Sequence, residues 1–229
     1  TLWNKEIKGT IFGSLNPRHD IPNLLSMYQA GTLKLDELIT QTYSLGTEFY
    51  SFNTQLEPTD DVRVRQALSM SIDTQGIMES ITKTGLVAHW QTHPGAAGAP
   101  KPDLYPELGI YYDPETAKAL IDEYAAEKGI SPSEISIVLM YNTAEANKKR
   151  AEAVQQMWQD TLGISVQLTN QEWQVYRQAR IDGNEHVYRS SWVQDYPDAN
   201  NFLAEVFGPG GAYQNVVDWP IEDITQPYE

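Results

Sequence analysis

ISIVLMYNTAEANKKRAEAVQQMWQDTLGISVQLTNQEWQVYRQARIDGNEHVYRSSWV, residues 135–193, holds the alternation of patterns that decides the fold. Ile135, Ile137, Leu139 and Tyr141 recur at every second position and predict a strand. Ala151, Val154, Met157, Trp158 and Leu162 then share one helical face, and Gly163 closes that helix. Ile164, Val166 and Leu168 give a second strand, Glu172 to Asp182 a second helix, and Val187 to Val193 a third strand. A β-α-β-α-β order demands right-handed crossovers and a mixed or parallel sheet covered by helices, an α/β fold. Ligands of such sheets bind outside the carboxyl ends of the strands, which is where Tyr141, Asn142, Trp192 and Asp195 would lie.

Working outward, Asp198 is placed to cap a helix containing Phe202, Leu203 and Val206. Upstream, Asp113 followed by Pro114 starts a helix whose Ala117, Leu120, Ile121 and Tyr124 face inward, with Gly129 ending it. Residues 87–109 are rich in glycine and proline and lack periodicity, so a long irregular loop is expected there. Val64, Ala67, Leu68, Ile72, Met78 and Ile81 predict a helix over residues 62–82 with a break at Asp73 to Gly76, preceded by a short strand at residues 50–54. In the first fifty residues, Ile7 to Gly13 alternates like a strand. Asp20 fits an N-cap, with Pro22 in the first turn of a helix that holds Leu24, Leu25 and Tyr28 and is closed by Gly31. Leu35, Leu38 and Ile39 suggest one more helical turn.

Composition removes several classes of function. Zero cysteines exclude disulfides, thiolate metal sites and thiol nucleophiles. The net charge is −15, and no Lys or Arg follows Arg189, against seven acids; such a field repels nucleic acid and anionic lipid. No apolar run reaches the roughly 18 residues a membrane span needs, and Thr1 opens the chain without a signal segment, so a leader is expected to be absent or removed. The four histidines show no HExxH pair, and His89 and His93 sit in the Gly/Pro-rich loop, so no metal site is expected. Nucleophile-elbow, P-loop and dinucleotide signatures are missing, and Pro209 removes an amide that a phosphate cradle at residues 208–211 would need; no cofactor is expected.

Binding chemistry is better represented. Around the end of the third strand stand Arg189, Trp192 and Asp195, a set able to hold a small zwitterion, with the carboxylate taking an ammonium and the arginine a carboxylate. The same residues also fit a plainer reading, a strand with a buried indole and a solvated acidic turn. Trp173 opens the helix after the second strand, where an indole can wall a cleft or fill a core.

Four motifs in order, NTQLEPTDDVRVRQALSMSID, YYDPETAKALIDEY, LMYNTAEANKKRAEAVQQMWQDTLGISVQLTNQEW and VYRSSWVQDYPDANNFL, resemble family 5 extracellular solute-binding proteins, the oligopeptide and dipeptide receptors of ABC importers. The resemblance covers about residues 50–219 and implies one lobe, residues 50–229, of a type II periplasmic-binding-protein fold, incomplete at its end. It implies short peptides as ligands, permease subunits as partners, and a periplasmic or membrane-anchored extracellular location. By the same resemblance Asp195 takes the peptide's α-ammonium, Arg189 its carboxylate, Trp173 and Trp192 line pockets, and Arg180 and Asn147 lie near the cleft. A histidine often stands where this chain has Asn147. Residues 1–49 resemble instead a late segment of medium-chain zinc-dependent alcohol dehydrogenases, without that family's metal ligands or nucleotide turn. A fusion, a chimera or a truncated fragment without a ligand of its own would each fit two partial resemblances in one chain; a dehydrogenase-related enzyme fits less well.

Overall fold

The computed structural model describes residues 17–33, 46–101, 104–106, 109–208 and 210–213. The chain forms two compact units, residues 1–43 and 44–229. In the first, helix α1 (Pro17–Gln29) starts three residues before Asp20 and carries Pro22 inside it. Asp20 therefore belongs to the helix rather than capping it, because Pro17 already supplies the preset φ of a first helical position. Gly31 follows in the left-handed region (φ 71°) and ends the helix as its sequence implies. The expected strand at residues 7–13 and the turn around Leu35 to Ile39 lie outside the described residues.

The second unit is a four-stranded sheet with helices on both faces. Its strands are β1 (Gly46–Phe52), β2 (Ser136–Asn142), β3 (Ser165–Gln171) and β4 (Val187–Val193), in the spatial order β1-β4-β2-β3. β2 pairs parallel with both β3 and β4, while β1 pairs antiparallel with β4. β1 spans Gly46–Phe52, so the strand begins four residues ahead of the one expected at residues 50–54. Its helices are α2 (Val62–Met70), α3 (Thr74–Ile77, running into a π-helical turn at Met78–Thr82), α4 (Pro114–Lys128), α5 (Glu145–Leu162), α6 (Trp173–Asp182) and α7 (Ala199–Phe207). The break foreseen at Asp73 is real: its carboxylate accepts from Gly76 N–H at 2.9 Å and restarts the helix.

One face of the sheet carries most of the core. Ile137, Leu139 and Tyr141 of β2, Val166 of β3 and Val187 of β4 pack against Val64 and Leu68 of α2, Ile121 and Tyr124 of α4, and Val154 and Trp158 of α5. Trp158 is fully buried and its indole N–H donates to the Leu68 carbonyl at 2.8 Å. An indole buried with its donor matched contributes about 3–5 kcal/mol over alanine. The opposite face holds a smaller cluster of Met140, Tyr188 and Tyr176, lying under α6. Since β2, β3 and β4 run the same way, their carboxyl ends share one edge. The antiparallel β1 brings its amino end, Gly46 to Glu48, to that edge beside Ser191 to Val193.

Candidate functional site

The carboxyl edge carries two separate polar clusters, one toward each face. Strand side chains alternate, so Arg189 and Trp192, three residues apart on β4, point to opposite faces. The expectation that an arginine, an indole and a carboxylate gather at one point is not met: the Trp192 indole and the Asp195 backbone share a partner in Asn201, the Asp195 carboxylate is exposed, and Arg189 belongs to the other cluster.

The first cluster turns on Asn201. Its side-chain oxygen accepts from the Trp192 indole N–H at 2.8 Å and from the Asp195 backbone N–H at 3.1 Å. Asn201 is buried, in the first turn of α7, whose N-cap Asp198 accepts from Asn200 N–H at 2.9 Å. One buried amide thus fixes both the ring and the start of the acidic turn. Asp195 itself is exposed, and among the described residues no cation pairs with its carboxylate. The long loop, irregular as expected, braces this turn: Ala97 N–H donates to the Pro197 carbonyl at 2.9 Å, and Ala199 N–H to the Ala97 carbonyl at 2.7 Å.

The second cluster is built on charge. Glu48 of β1 contacts Arg189 Nη2 with one carboxylate oxygen and Arg150 Nε of α5 with the other, each at 2.8 Å. Arg189 Nη1 makes only long contacts of 3.4 Å to Asn142 Oδ1 and Ser191 Oγ. Arg150 donates to Asn147 Oδ1 at 2.8 Å, and Asn147 Nδ2 donates to the Asn142 backbone and side-chain oxygens at 3.0 and 2.9 Å. Burial, and next the nearby Glu48 charge, pushes the Tyr50 phenol well above its ordinary range.

The other candidates divide. Trp173 is half exposed at the start of α6 and stacks on Tyr176 with ring centroids 6.1 Å apart. Tyr176 is buried, donates its hydroxyl to the Arg189 carbonyl, and has its ionisation pushed upward by burial. Arg180 is buried with its guanidinium 3.9 Å above the Tyr213 ring, and its Nε has no partner among the described residues. Tyr141 lies in the main core at 5% exposure, which makes it a packing residue. Asn142 stands at the strand end as expected.

Asn201, Glu48 and Arg150 were not singled out from the sequence. For Asn201 a cue exists: asparagine favours capping and turn roles, so the Asn200-Asn201 pair just after a cap marks side chains needed for bonding elsewhere. Nothing local points to Glu48, whose partner lies 141 residues away.

A parallel core sheet with one antiparallel strand, helices on both faces and polar clusters at the carboxyl edge defines a mixed α/β lobe. Residues 8–214 match the bacterial extracellular solute-binding proteins, family 5, middle region, and the chain belongs to that family. It is 39% identical over 184 residues to the periplasmic murein peptide-binding protein MppA of Escherichia coli, covering 78% of this chain and 33% of the relative. Against the oligopeptide-binding protein OppA of Bacillus subtilis it is 33% identical over 195 residues, 82% of this chain and 34% of the relative. The chain thus spans about a third of the length of these relatives. Among solved structures, the Escherichia coli murein tripeptide binding protein MppA superposes with a TM-score of 0.64 at 34% identity, over 84% of this chain and 41% of that one. Haemophilus influenzae OppA in complex with RPPGFSPFR gives a TM-score of 0.62 at 26% identity, over 85% of this chain and 42% of that one. The fold is that of periplasmic binding proteins, and these relatives are solute-binding proteins rather than enzymes. The family match runs from residue 8, through most of the segment that resembles alcohol dehydrogenases, and that resemblance is not shown by these relatives. No helix among the described residues is long and apolar enough to cross a membrane.

Proposed function

We propose that this chain is a ligand-contacting lobe of the substrate-binding component of an ABC-type oligopeptide or dipeptide importer. The observation that carries the reading is Asp195: an exposed carboxylate, unpaired among the described residues, whose backbone is tied through Asn201 to the neighbouring Trp192. An exposed carboxylate on a turn anchored to an indole suits the α-ammonium of a short peptide, which gains a charged hydrogen bond while its first side chain reaches the ring. Trp173 supplies a second apolar platform at the same edge. Permease subunits are the partners this reading implies, and the periplasm or the outer face of a membrane is the location, Escherichia coli MppA being a periplasmic protein.

The lobe is taken to cover the second unit, residues 44–229, with the residues before it belonging to the same family chain rather than to a dehydrogenase remnant. The family match through residues 8–45 supports this. Because the chain spans a third of its relatives' length, one lobe offers half a cleft, and water beside Asp195 screens its charge. Weak peptide binding follows. Calorimetry with alanine tripeptides tests it. Asp195→Asn should weaken free-amine peptides by about tenfold or more, the size of one charged hydrogen bond, and leave N-acetylated peptides nearly unchanged. Equal losses for both would remove Asp195 from the role. No detectable binding of either peptide by the wild type would favour an inert fragment instead.

A further inference from the structure

We infer that Glu48 is a specificity-determining residue that occupies Arg189 from within the protein, so that the lobe does not require a terminal carboxylate on its ligand. The inference rests on the peptide reading above. A guanidinium grips a carboxylate strongly only through two parallel N–H groups, either both terminal nitrogens or Nε with one of them. On Arg189, Nη2 is engaged by Glu48 at 2.8 Å, and Nε is buried without a partner. Either fork therefore includes a nitrogen that an incoming carboxylate reaches only by displacing Glu48. The most weakly engaged donor is Nη1, whose hydrogen bonds to Asn142 and Ser191 are long at 3.4 Å and are the ones a ligand group displaces most easily. A single such donor suits a neutral peptide carbonyl or a C-terminal amide about as well as an anion.

Arg150 holds the arrangement in place. It contacts the other oxygen of Glu48 and bonds Asn147, which in turn bonds Asn142, so Glu48 is gripped from both sides. The arginine side chains are 13% and 17% exposed and Glu48 33%, which leaves the carboxylate on the solvent side of the pair. Two cations against one anion leave one positive charge. Removal of the Glu48 charge exposes a fork ready for an external carboxylate.

The test uses the whole chain and two alanine tripeptides with free amines, one ending in a carboxylate and one in an amide, followed by NMR shift perturbation to millimolar peptide. Wild type should bind the two within about threefold of each other, as a partly screened single contact allows. Glu48→Gln should favour the carboxylate by about tenfold or more, and Glu48→Gln with Arg189→Gln should lose that preference. Should Glu48→Gln fail to fold, Glu48→Asp withdraws the carboxylate by one methylene at constant charge and should give a smaller shift in the same direction. An unchanged ratio, a wild type already selective for the carboxylate, or a gain that survives loss of Arg189 overturns the inference. If Asp195-dependent binding persists in those cases, the peptide reading stands without it. No binding of either peptide to wild type overturns both.

Discussion

At the scale of single residues, Asn201 does more than its place in a first helical turn suggests. Its buried oxygen accepts two N–H groups, from the Trp192 ring and the Asp195 backbone, in bonds that are themselves partly shielded from water. A buried donor left without an acceptor costs about 1–3 kcal/mol. Asn201→Ala should therefore destabilise the chain by roughly 2–4 kcal/mol in urea unfolding, and peptide affinity should fall along with it. A loss below half a kilocalorie would mean that the two donors find other partners. Arg189 and Trp192 carry a different lesson. Their spacing of three on a strand already separates them, by the two-residue alternation of side chains. The separation was legible, and reading the motif as one cluster passed over it.

Among the elements, helix ends are where sequence and structure agree best. Asp113 accepts from Thr116 N–H at 3.0 Å and from the Thr116 hydroxyl at 2.7 Å, and those bonds hold its carboxyl below the usual carboxylate range. A carboxyl whose folded value is depressed stabilises above its unfolded value, and that stability is lost as pH falls through the folded value. Asp61, held down by Arg63, and Glu134, held down by Ser131, act in the same direction. Asp113→Asn keeps an acceptor and removes the charge. Its melting temperature should lie below that of wild type at pH 6, with the gap closing toward pH 2. A gap of constant size across that range would show that ionisation of Asp113 adds nothing to the cap. The β-α-β-α-β order was readable because each element carries local punctuation: apolar alternation in the strands, and Gly163 and Gly183 in left-handed conformation after α5 and α6. The pairing of β1 with β4 was not readable. Both strands look alike in isolation, and only the register sets Tyr50 opposite Arg189 and so brings Glu48 within reach.

For the whole molecule, the division into units gives its own test. All four strands and both core clusters fall within residues 46–206. A chain starting at Ser44 should keep a single cooperative unfolding transition, with a melting temperature within roughly 4 °C of the full chain, a shift that corresponds to about 1–2 kcal/mol. Loss of cooperativity would mean that the first unit is needed for the sheet to form. The stitch between Ala97 and the turn ahead of α7 has a wider consequence. Two amide contacts moor a stretch with no regular structure to the backbone just beyond Asp195, so the acid's aim is set in part from a hundred positions earlier in the chain. Under the proposed peptide role, insertions and deletions in that stretch would retune what this edge accepts while its side chains stay as they are.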